Sequence, residues 1–150
     1  MTQPPSWAGA YVGIPYRDHG FDRSGCDCWG LVRLVYRARA RIELPSYAGD
    51  YADETDSEGV AACVEAARAS ETWRRIDPPP RTFDVAEMFS VLRSRRGWSY
   101  PPLHVGVVVG NGWLIHTELA TGARLVRADD RALGKRIAGF WRHRSLHART

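Results

Sequence analysis

The chain has 150 residues, of which 44% are hydrophobic and 25% are charged, and its formal net charge is +4. These values predict one globular domain over residues 1–150 and disfavour a disordered or membrane-inserted chain. The basic residues are spread along the sequence, so the composition predicts no nucleic-acid-binding tract.

The first 20 residues contain Pro, Tyr and Arg where a secretory signal peptide has a continuous apolar segment. Three cysteines, Cys26, Cys28 and Cys63, form an odd set that is typical of free thiols in a reducing compartment. We therefore expect synthesis in the cytoplasm without a signal peptide. Any extracellular substrate must then be reached with the help of another carrier.

The N-terminal third predicts helices. Residues 6–13 are expected to form a short helix that Pro15 ends, and Asp27 is a good N-cap for a helix that begins at Cys28 and runs to about residue 40. Helical spacing from Cys28 places the thiol on the inward face of that helix. The apolar positions that define this face are Leu31, Val32, Val35 and Tyr36.

The middle of the chain changes character twice. Residues 49–59 are acidic and turn-like, and residues 57–69 have the apolar spacing of a second helix with Cys63 as a small core residue. Asp77-Pro78-Pro79-Pro80 predicts a loop. Beyond residue 82, β-type runs follow at 85–92, 103–109, 113–117, 124–127 and 136–141, before a polar tail over residues 142–150.

Helices followed by a run of strands predict an α+β fold, with helices packed on a mainly antiparallel sheet of about five to six strands. Cys28 at a helix start is placed for nucleophilic chemistry, because the helix N-terminus favours a thiolate. His104 is the candidate base and His116 the candidate orienting group. The backbone N–H of Cys28 and the phenol of Tyr16 are candidate oxyanion donors.

The hairpin between the two histidines makes a testable prediction about register. If Gly110-Asn111-Gly112 forms a three-residue loop, Gly106 lies opposite His116, and the rings of His104 and His116 share one face of the sheet. A two-residue Asn111-Gly112 turn shifts the pairing and separates them. Gly106 leaves the space between the rings open.

A zinc site made of Cys26, Cys28, His104 and His116 is the alternative use of these residues. It is disfavoured because it would consume the nucleophile, so we expect no metal and no cofactor.

Four motifs follow one another along the chain: Gly13-Ile14-Pro15-Tyr16, Asp27-Cys28-Trp29-Gly30-Leu31, His104-Val105-Gly106 with Gly110-Asn111-Gly112, and Ile115-His116. In this order they resemble the motifs of NlpC-type cell-wall peptidases, which are papain-like cysteine peptidases.

The chain resembles this family over roughly residues 8–142. The resemblance implies a Cys28–His104–His116 triad, Tyr16 near the oxyanion and Asp27 as a group that binds a substrate amine. It also implies that the substrate is a peptidoglycan stem peptide, cut where the γ-carboxyl of D-glutamate joins a diamino acid. Trp29 replaces the family's usual Ser, and we expect it to line the substrate pocket or contact a partner.

The segments around Arg33 and Gly139-Phe140-Trp141-Arg142 are similar to the family branch that is associated with phage tails and gene transfer agents. This similarity implies tail-tip proteins as partners and a virion or tail-like particle as the carrier to the cell wall. Two other functions remain open: a structural tail-tip component that keeps the fold with little activity, and an acyltransferase or amidase that works through a thioester.

Overall fold

A six-stranded sheet carries the predicted site residues of the C-terminal half. The computed structural model describes residues 2–47, 57–90, 92–99 and 101–147. The sheet strands are β3 (Trp73–Ile76), β4 (Val85–Met88), β7 (His104–Gly110), β8 (Trp113–Glu118), β9 (Gly122–Arg127) and β10 (Ile137–His143). Their order is β3-β10-β4-β7-β8-β9, and all neighbouring pairs are antiparallel. The predicted α+β class and sheet are thereby confirmed.

The remaining elements are short. Two small hairpins pair β1 (Phe21–Asp22) with β2 (Gly25–Cys26) and β5 (Leu92–Ser94) with β6 (Gly97–Ser99). The α-helices are α1 (Cys28–Val35), α2 (Ser57–Ala69) and α3 (Arg131–Gly134), and 3-10 turns cover Ser6–Tyr11 and Arg144–Leu146. None of the described helices has the length and apolar character needed to span a bilayer.

Helix α1 packs on one face of the sheet. Its apolar stripe, Leu31, Val32 and Val35, is completely buried and lies in one cluster with Val107 and Ile115. Burying a side chain of this size stabilises a fold by about 1.5–3 kcal/mol. The inward face that was predicted from the spacing is confirmed, and it fixes the position of the helix start relative to β7 and β8.

The two N-terminal helices differ from their predictions in length and type. Regular α1 ends at Val35 and continues as a π-helical turn over Tyr36–Ala40, which stops where Arg41 takes the left-handed conformation (φ 58°). The segment predicted as a helix over residues 6–13 is a 3-10 turn that ends at Tyr11, and Gly13 beyond it has φ 89°. Left-handed residues cannot continue a right-handed helix.

The opposite face of the sheet has its own apolar cluster, which includes Met88, Val108, Leu114 and Phe140 and is covered in part by Leu133 of α3. Both faces are therefore buried. This explains why β4, with the sequence Val-Ala-Glu-Met, is buried along its whole length instead of showing alternate exposure.

Two charged pairs are built into this architecture. Arg68 of α2 donates to both carboxylate oxygens of buried Glu87, at 2.5 and 3.1 Å. Arg142 similarly forms a two-bond pair with Asp84, which is fully buried, at 2.7 and 2.8 Å. Two-bond arginine–carboxylate pairs are geometrically specific, so the first fixes α2 against β4 and the second ties β10 to the residue that precedes β4.

The predicted polar tail is therefore wrong for residues 142–147. Arg142 is bound by Asp84, and Leu146 is only 7% exposed. Residues 148–150 lie outside the described residues, as does most of the predicted acidic turn, residues 48–56. The single domain over residues 1–150 stays a prediction.

Three further predictions need correction. The β run predicted over residues 85–92 ends at Met88, because the backbone N–H of Phe89 donates to Arg136 instead of continuing the ladder with β7. Strand β3 was not predicted, since its two central arginines leave it without an apolar alternation. The helix over 57–69 is confirmed, but Cys63 is half-buried on it rather than a core residue.

Candidate active site

The rings of His104 and His116 are in direct contact on neighbouring strands. His104 Nε2 lies 2.9 Å from His116 Nδ1, and the ring planes are inclined at 74°. Both histidines are buried, at 8% and 1% exposure. A hydrogen bond of this length between buried groups fixes the orientation of the His104 ring, and it leaves His104 Nδ1 as the ring atom for a reaction partner.

The hairpin reaches this arrangement by a route that differs from the prediction. Gly110 pairs directly with Trp113, so the turn contains only Asn111 and Gly112. A bulge between Val108 and Gly110 then restores the pairing of Val108 with Leu114. The three-residue loop was wrong, but the predicted register at the histidines is correct because the bulge supplies the extra residue.

Gly106 lies two residues after His104 on β7, opposite His116 on β8, and has no room for a side chain. A Cβ there would lie 2.9 Å from the carbonyl oxygen of Ile115 and 3.0 Å from His116 Cβ. The predicted reason for glycine at this position is confirmed, because any side chain would separate β7 from β8 at the ring pair.

Cys28 is the first residue of α1, as predicted, but its protonation state is not the predicted one. Burial, followed by the charge of Asp27, raises the pKa of the Cys28 thiol to about 12. Hydrogen bonds from the backbone of Val105, Trp29 and Cys28 itself lower the pKa by less. The helix N-terminus therefore does not offset desolvation, and the resting sulfur is a neutral thiol.

The histidines are neutral for the same reason. Burial lowers the pKa of His104, and the neighbouring His116 lowers it further. Burial also lowers the pKa of His116, to about 4, although the Glu118 carboxylate acts in the opposite direction. In the resting site the thiolate expected at the helix start is thus replaced by a thiol, beside two uncharged imidazoles.

Cys28 and the ring pair both lie at the start of β7. Val107 and Ile115 pack against α1, whereas Gly106 and His116 face Met88 on the other side of the sheet. Cys28 contacts the strand at the backbone of Val105, one residue from His104. The described hydrogen bonds include the histidine pair but none between Cys28 and His104. The complete triad stays a prediction.

Asp27 and Trp29, on either side of Cys28, are held by local structure. Asp27 is 4% exposed, and its two carboxylate oxygens accept hydrogen bonds from the backbone of Gly30 (2.7 Å) and His19 (3.1 Å). It is the predicted N-cap of α1. Its role in binding a substrate amine stays a prediction.

Trp29 is half-buried, so it is neither a free partner surface nor a full core residue. Its indole N–H donates to the carbonyl oxygen of Pro45 (2.7 Å), and its ring lies 5.7 Å from that of Tyr47 and 6.4 Å from that of Trp73. The indole thereby holds residues 45–47 beside the start of α1. Its role in substrate binding stays a prediction.

Tyr16 is brought to the same region by its backbone, which forms an isolated bridge with Cys26. Its hydroxyl donates a long hydrogen bond, 3.4 Å, to Asp18 Oδ1. The hydroxyl thus has a hydrogen-bond acceptor within the protein, and its role as a donor to an oxyanion stays a prediction.

Glu118 is the site residue that sequence reasoning missed. Its Oε1 lies 3.5 Å from His116 Nδ1 and accepts a 2.8 Å hydrogen bond from Arg136. It follows His116 by two residues on β8, so the alternation of the strand places both on one face. That spacing was the available signal.

The predicted zinc alternative does not form as proposed. Cys26 is completely buried, and its backbone pairs with Pro15 and Arg17. Within the described part of the chain, the group of side chains close enough to share an ion is His104, His116 and Glu118, which includes neither Cys26 nor Cys28.

A separate open cavity of about 550 Å³ lies beside edge strand β3 and contains no predicted site residue. It is rich in arginine. Its lining residues are Arg74, Arg75, Ile76, Asp77, Pro79, Pro80, Arg81 and Arg142.

Comparison with known proteins places this geometry in context. Residues 13–72 match the model of the NlpC/P60 family. The chain is also similar to the crystal structure of the NlpC/P60 domain of the peptidoglycan hydrolase SagA, with 20% identity, a TM-score of 0.51, and coverage of 89% of this chain and 90% of that one. The chain has the NlpC/P60 fold. The fold that the resemblance implied is thereby confirmed, and the phage-tail branch stays a prediction.

Two larger proteins contain the same fold. An NlpC/P60 family protein from Bacillus cereus is 17% identical, with a TM-score of 0.56 over 94% of this chain and 41% of that one. A lipoprotein-like NLP/P60 family protein from Staphylococcus aureus is 18% identical, with a TM-score of 0.55 over 95% of this chain and 44% of that one. The chain described here thus spans less than half the length of these two. No curated protein matches it in sequence.

Proposed function

We propose that the chain is a cysteine endopeptidase that hydrolyses stem peptides of bacterial peptidoglycan, at the bond between the γ-carboxyl of D-glutamate and diaminopimelate. The observation that carries the proposal is the 2.9 Å contact of His104 and His116 beside a helix that begins with Cys28. The NlpC/P60 fold supports cell-wall peptidase activity, and SagA, which has this fold, is described as a peptidoglycan hydrolase.

The first step is activation of the thiol. His104 Nε2 is engaged by His116, so His104 Nδ1 accepts the proton of Cys28, and the Nε2–H then donates to His116 Nδ1. Because thiol and imidazole are both neutral at rest, this transfer accompanies substrate binding. The Glu118 carboxylate favours the imidazolium that forms, since its charge raises the pKa of both rings.

The second step is acyl transfer. The thiolate attacks the scissile carbonyl carbon, and the backbone N–H of Cys28 donates to the oxyanion. The His104 imidazolium then protonates the leaving amine, which leaves a thioester on Cys28. Water, deprotonated by His104, hydrolyses that thioester and restores the thiol. Asp27, Trp29 and Tyr16 are the proposed groups around the bound stem peptide.

A phage-like tail is the proposed carrier of the enzyme. The sequence around Arg33 and at residues 139–142 supports this proposal through its similarity to the tail-associated branch. On this proposal the chain is made in the cytoplasm, joins tail-tip proteins in a virion or tail-like particle, and acts on the wall of the target cell.

Digestion of purified muropeptides tests the enzymatic proposal. The unaltered chain is expected to cleave diaminopimelate-type stems, with both products identified by mass spectrometry, and Cys28→Ala is expected to abolish cleavage. Cys63→Ala is the matched control, because Cys63 lies on α2 away from the ring pair and its loss should leave turnover unchanged. Equal turnover by Cys28→Ala would refute the proposal.

A structural tail-tip component is the second candidate. The raised pKa of Cys28 and the lack of a described hydrogen bond between Cys28 and His104 favour it. In that case Cys28→Ala particles would assemble and deliver their contents normally, whereas particles without the whole chain would not. The enzymatic proposal expects reduced delivery by Cys28→Ala particles.

A further inference from the structure

We propose that His104, His116 and Glu118 form a binding site for a divalent transition-metal ion, with Zn²⁺ as the best chemical match. Two imidazole nitrogens and one carboxylate are a frequent ligand set for zinc sites that keep one open position. The further statement that the bound ion blocks peptide hydrolysis rests on the proposed function.

Two of the three separations between the ligand atoms are close to the spacing that zinc requires. Tetrahedral Zn²⁺ with bonds of about 2.0–2.1 Å holds neighbouring ligand atoms about 3.3 Å apart. The observed separations are 2.9 Å between the two ring nitrogens and 3.5 Å between His116 Nδ1 and Glu118 Oε1, and all three ligand atoms lie within 4.8 Å of one another. Two of the separations are therefore within a few tenths of an ångström of the tetrahedral value, and the third, between His104 and Glu118, must close by at most about 1.5 Å.

The backbone presents these ligands on a rigid surface. His116 and Glu118 are two residues apart on β8 and therefore point to the same face. Strand β8 is paired with β7, which carries His104, on one side and with β9 on the other. Strands inside a sheet hold side-chain positions more precisely than loops do. The site is thus built by folding, and binding requires little further ordering.

Access and charge determine how the ion enters. The histidines are almost fully buried, whereas the Glu118 side chain is 35% exposed and gives a path from solvent. Arg136 binds Glu118 Oε1 and opposes a cation, and Arg124 adds positive potential near His116. A carboxylate has a second oxygen, so Glu118 can hold the guanidinium and the metal together.

Metal binding removes the feature on which the proposed catalysis depends. The hydrogen between His104 Nε2 and His116 Nδ1 must move, through solvent, to His104 Nδ1, because the two facing nitrogens then donate their lone pairs to the ion and each ring stays neutral. His104 Nδ1 can then no longer accept the proton of Cys28. His104 is no longer oriented by its hydrogen bond, and the ion prevents the ring from becoming imidazolium. Bound Zn²⁺ is therefore expected to inhibit the peptidase reversibly.

Zinc binding is measured by competition with a chromophoric zinc chelator. The protein used is the full chain with Cys28→Ser and Cys63→Ser, because these two substitutions remove the partly exposed thiols. This background is expected to bind one equivalent of Zn²⁺ from ZnCl₂. Adding Glu118→Gln or His116→Gln should weaken binding at least tenfold, whereas His147→Gln, away from the site, should not change it. Glu118→Gln keeps the test decisive if His116→Gln fails to fold, because Glu118 is partly exposed.

Two results would overturn the proposal: loss of zinc binding in the thiol-free background, or unchanged binding in both site variants. Because these measurements use a chain without its nucleophile, their outcome does not depend on whether the chain is a peptidase. Inhibition is tested separately, by adding ZnCl₂ and then a chelator to the unaltered enzyme during muropeptide digestion. Full activity at saturating Zn²⁺ would refute the inhibitory role alone.

Discussion

His104 and His116 form a 2.9 Å contact across a hairpin whose two-residue turn would, by itself, place them on opposite faces of the sheet. The bulge at Val109 reconciles the two facts, because one extra residue on β7 returns the pairing to the register that brings both rings to one face. The candidate site therefore depends on the backbone of this hairpin as much as on its side chains.

Gly106→Ala is expected to damage this contact directly. The new methyl group would meet the Ile115 carbonyl oxygen and His116 Cβ, neither of which belongs to a flexible side-chain end. We expect a loss of about 1–3 kcal/mol in the free energy of unfolding, measured with urea, and lower muropeptide turnover. Gly134→Ala is the control, since nothing lies within 4 Å of its added Cβ. An unchanged stability of Gly106→Ala would show that the strands adjust freely.

Glu118→Gln tests the electrostatic support of the ring pair. Removing the carboxylate charge lowers the pKa of both histidines and destabilises the imidazolium formed during acyl transfer. We expect kcat to fall about 3- to 10-fold, which corresponds to roughly 0.7–1.4 kcal/mol, with little change in KM. Asp129→Asn, which removes an exposed carboxylate paired with Arg127, should leave kcat unchanged. A loss confined to KM would indicate a substrate-binding role instead.

The protonation state of the resting Cys28 thiol can be measured by its rate of alkylation with iodoacetamide. Because burial raises the pKa of this thiol to about 12, the thiolate fraction is small at neutral pH. The alkylation rate of Cys28, followed by peptide mass spectrometry, should therefore keep rising with pH above 9. A fast rate that is constant between pH 5 and 8 would instead demonstrate a resting thiolate–imidazolium pair.

The buried histidines also predict a pH-dependent stability. Their pKa values lie below the unfolded value of about 6.5, so between these values the unfolded chain binds more protons than the folded one. The stabilisation is complete above pH 6.5 and is lost as the pH falls towards 4, by up to about 1.4 kcal/mol per pH unit for each histidine. Urea unfolding between pH 6.5 and 5 should show this slope, and His116→Gln should reduce it. A flat profile would mean that the rings are protonated in the folded state.

The sequence analysis succeeded where one local signal dominated. The apolar stripe beginning at Cys28 predicted the buried face of α1. The shared face of His104 and His116 was predicted only on condition of a three-residue loop, and the structure reaches it by a bulge instead. The analysis failed for properties that several opposing physical effects determine together. The pKa of Cys28 depends on desolvation by the whole fold, which outweighs the helix N-terminus.

Long-range partners were also beyond sequence reasoning. Strand β3 appears polar in isolation, and only its pairing with β10 explains it as an edge strand. Arg136 binds Glu118 across 18 residues, and Arg142 binds Asp84 across 58. No local pattern encodes such pairs, because the residues meet only after the sheet has formed.

Trapping the covalent intermediate on Cys28 is the most direct test of the proposed chemistry. Muropeptide substrate would be mixed with the unaltered chain, quenched in acid within the first turnover, and analysed by intact-mass and peptide mass spectrometry. We expect a mass increase equal to the acyl part of the substrate, located on the peptide that contains Cys28. Cleavage without any adduct, and at the same rate in Cys28→Ala, would contradict the account.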